Sequence, residues 1–148
     1  MNCAIRLMTM ADHEKVLRLW QGTEGIGLNE SDGRGHIRDF LRRNPGMSFV
    51  VVRGREIVGA VLCGHDGRRG YLHHLAVAKA HRKKGLGKKL VNACLAKLRR
   101  LEIQKCNIFL FADNTAGEEF WRHNGWRPRT DLLMMQKNLV RARNQCSC

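Results

Sequence analysis

The chain has 148 residues, 43% of them hydrophobic and 27% charged, which is enough for one domain burying roughly two-thirds of its unfolded surface. No apolar run approaches the ~20 residues of a membrane span, and residues 1–15 hold no continuous apolar stretch of the secretory kind, so the expectation is a cytoplasmic protein with no membrane partner. The formal net charge of +14 attracts polyanions, whether nucleic acid, an anionic surface or a phosphorylated cofactor; because the basic residues are spread along the chain, they describe a basic solvated surface and no dedicated nucleic-acid partner.

Residues 1–7 predict an edge strand. Thr9 or Asp12 caps a helix carrying Val16, Leu17, Leu19 and Trp20. Gly22, Gly25 and Gly27 then interrupt regular structure and mark a mobile loop. A second helix begins at Ser31 or Asp32, carries Ile37, Phe40 and Leu41 on one face, and ends at Asn44-Pro45-Gly46. Residues 48–52 and 57–63 are strand-like around a hairpin turn at 53–56. Residues 64–70 form a loop before a strand at 71–77. The central helix spans about 85–101, with Leu86, Leu90, Cys94, Leu98 and Leu101 at spacings of three or four. A buried strand at 105–111, a short helix at 115–123 closed by Gly125 and a last strand at 132–139 complete the chain, and 140–148 is a frayed tail. The order is β-α-α-β-β-β-α-β-α-β, a single α/β domain over residues 1–148.

Six cysteines are present. Cys3, Cys63, Cys94 and Cys106 stand in apolar contexts, as small buried side chains do. Cys146 and Cys148 form a C-x-C with no second pair to complete a zinc site. No metal site is predicted, and no cysteine stands in a nucleophile context.

The chemistry concentrates in residues 71–90, a strand followed by a basic glycine-containing turn and a helix start. The first turn of a helix leaves backbone N–H groups unpaired and carries about half a positive charge. Gly85 and Gly87 remove the Cβ atoms that would keep a phosphate away from them. A P-loop is excluded because Lys89 stands where Ser or Thr is required and position 82 is not glycine; a dinucleotide fingerprint is excluded because Leu90 replaces its third glycine.

With Arg82, Gly85 and Gly87 in the pattern [QR]-x-x-G-x-[GA], the segment resembles the coenzyme A pyrophosphate motif of the GNAT superfamily of N-acetyltransferases. Residues 114–126 are similar to that family's N-x-x-A-x-x-[FL]-Y-x-x-x-G-F segment, with Asn114, Phe120, Gly125 and Trp126 in place. Trp121 stands where the family has tyrosine, and an indole cannot protonate a leaving thiolate. The resemblance covers residues 48–139 well and residues 1–47 only in element order. It implies the GNAT fold, a mixed and mostly antiparallel sheet of about six to seven strands with helices on both faces, whose fourth and fifth strands splay apart around the cofactor's pantetheine. It further implies acetyl-CoA as cofactor, direct transfer to a primary amine of a small molecule or peptide, and compatibility with a homodimer. The cofactor-binding residues it implies are Leu75, Ala76 and Val77 on the strand, Arg82, Lys83, Lys84, Gly85, Leu86, Gly87 and Lys88 in the turn, and Asn114 and Trp121 downstream.

Residues 71–77 resemble the corresponding strand of the arylalkylamine N-acetyltransferases, which places His73 and Tyr71 at the two proposed base positions. By strand alternation 71, 73 and 75 share one face and 72, 74 and 76 the other. His74 therefore points away from His73 and is expected to be structural. Glu24 in the glycine-rich loop is the candidate for holding a cationic acceptor, with Trp20, Asp32 and Asp66 behind it. The rival readings are a non-catalytic acyl-CoA-binding domain, suggested by Trp121, and a basic nucleic-acid-binding module, which lacks any helix-turn-helix or zinc-finger spacing.

Overall fold

The run Phe49-Val50-Val51-Val52 and the run Ile57–Cys63 are rich in β-branched residues, which pack well on a pleated surface. In a computed structural model, which describes residues 2–140, they form the hairpin β2 (Phe49–Arg53) and β3 (Glu56–His65) around Gly54, whose φ is +60°. The first strand, β1 (Ala4–Leu7), pairs antiparallel with β2, and β4 (Gly70–Val77) pairs antiparallel with β3. The fifth, β5 (Cys106–Ile108), lies parallel to β4, so the sheet order is β1-β2-β3-β4-β5.

Four α-helices cover this sheet, α1 (His13–Gln21), α2 (Arg34–Arg43), α3 (Leu86–Arg100) and α4 (Thr115–His123). On one face, Val16 and Trp20 of α1 and Ile37 of α2 pack on Val50, Ala60, Leu62 and Ala76. On the other, Leu86, Leu90, Cys94 and Leu98 of α3, with Trp121 of α4, pack on Phe49, Val51, Val61, Cys63 and Leu72. Leu90 is fully buried; burying such a side chain contributes about 2 kcal/mol before entropy. Cys63 and Cys94 are buried here, whereas Cys3 and Cys106 are partly buried.

The fold class and the element order expected from the sequence hold as far as α4, with two corrections. The strand foreseen at 105–111 is confined to Cys106–Ile108, and Phe109 and Phe111 are more than half exposed. Residues 132–139 form no strand. Leu132 N–H closes back on the Arg129 carbonyl at 3.4 Å and Arg129 pairs with Asp131, a local turn. Leu133 and Met135 are 92% and 90% exposed, so the burial that would make this apolar run a strand is missing. The sheet accordingly has five strands, not six or seven. Cys146, Cys148 and residues 141–148 of the expected tail lie outside the described residues. Among the described residues no helix is long and apolar enough to cross a membrane, and no group of three His, Cys, Asp or Glu side chains is arranged to hold a metal ion.

Candidate active site

The pairing of β4 with β5 stops at Leu72 and Ile108. Among the described residues no strand pairs with the outer side of β4 from His73 to Val77, while the chain after Ile108 runs off through Phe109, Leu110 and Phe111. The two strands thus open a gap of the kind the sequence resemblance implied. Parallel strands cannot be joined by a tight turn, and α3 supplies the crossover.

At one end of this gap lies the turn into α3. Lys83 and Gly85 take φ values of +63° and +79°, the alternation of backbone hands that makes a concave row of N–H groups. The first bond of the helix runs from Lys89 N–H to the Gly85 carbonyl at 3.1 Å. The N–H groups of Leu86, Gly87 and Lys88 therefore precede any helical partner, and Gly85 offers no side-chain cap. A Cβ on Gly85 would meet nothing within 4 Å, and one on Gly87 would touch the Phe120 ring at 3.3 Å. Open space, free donors and Lys83, Lys84 and Lys88 close by fit a pyrophosphate. Arg82 is differently engaged, because its Nε donates to the Val77 carbonyl at 2.9 Å and braces the end of β4. Beside the turn, a groove of about 270 Å³ opens between α3 and α4, lined by Lys88, Asn92, His123, Asn124 and Trp126 among others.

Two downstream residues expected to touch the cofactor have partners within the protein. Asn114 caps α4, its Oδ1 accepting from Gly117 N–H at 2.9 Å. Trp121 is buried in the α3-side core, edge-on to Trp126 at 4.9 Å. Phe120, one position earlier, is the aromatic that faces the turn at Gly87; spacing alone gave no sign of which of the two adjacent rings would do so.

At the other end of the gap stand Tyr71, His73 and Phe109, three rings stacked at centroid distances of 6.1 to 6.5 Å. Phe40 of α2 meets the His73 ring edge-on at 6.0 Å. Burial pushes the His73 imidazole below its ordinary pKa of 6.5, the nearby His74 adds to the effect, and Asp32 partly opposes it. His73 is therefore neutral near pH 7, with a lone pair free to take a proton.

The strand alternation expected at His74 fails. Leu62 pairs with His73 and Ala60 with Ala76, so β4 spends one more residue than β3 over this span. This is a β-bulge, and His74 sits in it at φ +54°. Leu75 turns toward the α3 core, whereas His74 turns to the same side as His73, under α1 and α2. Its ring meets Trp20 at 5.0 Å. Its Nε2 lies 2.8 Å from Oδ1 of Asp32, which is only 6% exposed. The two histidines share a face, contrary to the period-two rule, because the extra residue resets the alternation.

The glycine-rich loop arches over the same side. A Cβ on Gly25 (φ +79°) would strike the Asn114 side chain at 2.6 Å, and one on Gly27 the Phe111 ring at 2.6 Å. The loop thus packs on the chain leaving β5, and this close approach requires the missing side chains. Glu24 is exposed at its crest. Asp66 is a turn residue, with its Oδ1 accepting from Arg68 and Arg69 N–H at 2.8 Å each.

A sheet opened between a fourth and a parallel fifth strand, with a helix N-terminus at one end and titratable groups at the other, is the frame of an acyl-CoA-dependent transferase. The model of the acetyltransferase (GNAT) family matches residues 13–126, and the chain belongs to that family. It is 26% identical over 136 residues to an acetyltransferase of Sodalis glossinidius, covering 92% of this chain and 95% of that protein. Over 112 residues it is 30% identical to an acetyltransferase of Pectobacterium atrosepticum, covering 76% of this chain and 79% of that one. Among solved structures, the paia N-acetyltransferase of Thermoplasma acidophilum in complex with coenzyme A has a TM-score of 0.75 at 17% identity, over 86% of this chain and 91% of that one. A GNAT-family acetyltransferase of Staphylococcus aureus has a TM-score of 0.74 at 18% identity, over 89% of each chain. The cofactor of the family is acetyl-CoA, and the turn at 82–88 fits its pyrophosphate.

Proposed function

We propose that the protein is an N-acetyltransferase that moves an acetyl group from acetyl-CoA directly to a primary amine. The observation that carries this reading is the gap beyond Leu72 and Ile108, which joins the N–H-rich turn at Gly85–Gly87 to the Tyr71–His73–Phe109 stack. Acetyl-CoA, when bound, supplies a thioester whose acetyl carbon accepts the amine lone pair as the C–S bond breaks with its electrons on sulfur. Two protons must then be handled, one leaving the ammonium before its lone pair is free and one leaving nitrogen as the amide forms. One of the two neutralises the thiolate, so a single proton is released overall.

In this reading His73, kept neutral by burial, accepts a proton, and Tyr71 stacked on it orients the ring. The backbone of Leu75, Ala76 and Val77 lines the gap, and the N–H groups of Leu86, Gly87 and Lys88 with the Lys83, Lys84 and Lys88 side chains bind the phosphates. Phe120 covers the turn in the place assigned to Trp121. Glu24, at the crest of the loop, faces an arriving cation. The basic surface disfavours strongly cationic acceptors, since steering would be repulsive.

The test has two stages. Calorimetric titration with acetyl-CoA, against ATP as a control for general polyanion binding, is expected to give one-to-one binding that ATP does not match. Release of the coenzyme A thiol is then followed with 2-phenylethylamine, free lysine, spermidine and a short peptide with a free N-terminus. Equal weak binding of ATP and acetyl-CoA would remove the reading. Tight binding without thiol release from any of the four amines would favour the non-catalytic acyl-CoA-binding alternative.

A further inference from the structure

His74 holds a backbone conformation that glycine adopts freely and a histidine does not. Three contacts from two separate elements converge on this one residue. Trp20 of α1 donates its Nε1–H to the His74 carbonyl at 2.9 Å. The Trp20 ring lies against the imidazole. Asp32, in the turn before α2, places Oδ1 2.8 Å from Nε2. Asp32 is itself fixed, because its Oδ2 accepts from Asn29 N–H at 3.0 Å and its carbonyl meets Nε2 of His13 at 3.2 Å. The groups facing the ring are thus Asp32 from the turn before α2, with His13 of α1 behind it, and His73 on its own strand.

A carboxylate oxygen can only accept, so the proton between the pair sits on Nε2 and the lone pair of the imidazole sits on Nδ1. Among the described residues no buried side-chain nitrogen or oxygen lacks a hydrogen-bond partner, and Nδ1 of His74 bonds to none. It is therefore not sealed from solvent, and the His74 side chain as a whole is 19% exposed. The imidazolium that forms when Nδ1 takes a proton faces a buried carboxylate, whereas His73 has aromatic rings around it and no carboxylate in bonding contact.

We infer that His74, held by Asp32, is a second catalytic base, the group that takes the proton from the acceptor's ammonium before attack, with Asp32 as its positioning residue. The inference rests on the N-acetyltransferase reading above. The balance closes, as the ammonium N–H bond breaks, an N–H bond forms at Nδ1, and the freed lone pair makes the C–N bond of the amide. His73 remains available for the proton lost as the amide forms, and His74 returns its own to solvent from Nδ1.

The test separates chemistry from architecture by the substitution His74→Gly, which keeps the bulge and relieves its backbone while removing the ring. It is assayed with whichever of the four amines the wild type turns over fastest. The expected result is a folded protein whose melting temperature is lowered by the unpaired Asp32 carboxylate, an unchanged KM for acetyl-CoA, and a kcat lower by about 100-fold, the usual scale of general base catalysis. Added imidazole should restore part of the lost kcat in His74→Gly and do nothing for the wild type. Asp32→Asn should lower kcat with imidazole giving no rescue. Turnover retained in His74→Gly, or lost with no response to imidazole, would overturn the assignment and leave His74 structural. If the wild type acetylates none of the amines, the N-acetyltransferase reading fails and the base falls with it.

Discussion

The indole Nε1 of Trp20 donates to the carbonyl oxygen of His74 across 2.9 Å, linking the last turn of α1 to the bulge in β4. A bulge leaves a residue out of the ladder with a carbonyl to satisfy, and here the donor comes from a helix fifty-four residues earlier. The bond therefore ties helix placement to the shape of the gap. Trp20→Phe keeps an aromatic in the core but leaves that carbonyl unpaired. The expected cost is about 1–3 kcal/mol in urea denaturation, accompanied by a lower kcat and an acetyl-CoA affinity close to wild type. Loss of affinity with kcat intact would detach the bulge from the reacting end of the gap.

Gly87→Glu tests the other end. Its side chain would put both bulk and negative charge at the α3 N-terminus, where the N–H groups of Leu86, Gly87 and Lys88 stand open. Affinity for acetyl-CoA should fall by at least about tenfold, since the helix-terminus interaction and its charge both reverse. The melting temperature should move little, because the position lies at the helix start beside a movable Phe120 ring. Unchanged calorimetric affinity would dismiss the pyrophosphate assignment.

His73 makes stability depend on pH in a defined direction. Its folded pKa lies below the ordinary 6.5 because burial disfavours the charged ring. As pH falls through 6.5 the unfolded chain takes up a proton that the folded chain refuses, so stability declines until the folded pKa is reached and then levels. Above 6.5 this contribution is fully present. His73→Phe, which retains the edge contact with Phe40, should show a smaller loss of stability between about pH 7.5 and about pH 5.5, the window that the direction of the shift defines. Parallel curves for wild type and variant would contradict the burial of the ring. Turnover of the variant should also be lower, through kcat and not through the KM for acetyl-CoA.

The core thiols should be inert. Hydrogen bonding with Cys63 and burial both push the Cys94 thiol far up, and burial pushes Cys106 up to about 12. A thiolate is the reactive species, and Cys63 is fully enclosed by the core, so brief exposure of the native protein to iodoacetamide should leave Cys63, Cys94 and Cys106 unmodified by peptide mass spectrometry. Denaturation in urea should make all of them react. Rapid labelling of Cys94 in the native state would mean that α3 opens from the sheet far more often than its packing implies.

Much of this protein was determined by the sequence alone, because the signals involved are local. The 3.6-residue recurrence of Leu86, Leu90, Cys94 and Leu98 specifies α3 and its buried face whatever packs against it. The strand, glycine turn and helix start at 71–90 specify an anion site, since the donors belong to the backbone and need only a missing Cβ. The β-branched runs around Gly54 specify a hairpin. Tertiary structure decided what depends on partners distant in the chain. Residues 132–139 carry an apolar run but form no strand, because a ladder needs a partner strand and these residues pair with none. Which of Phe120 and Trp121 faces the cofactor turn was set by the rotation of α4 on the core. Above all, the direction of His74 follows from one extra residue in β4 opposite β3, a count that exists only between paired strands. Alternation sent its ring to the wrong face; the bulge, the Trp20 donor and the buried Asp32 carboxylate, brought together from three elements, turned it to the side where His73 stands.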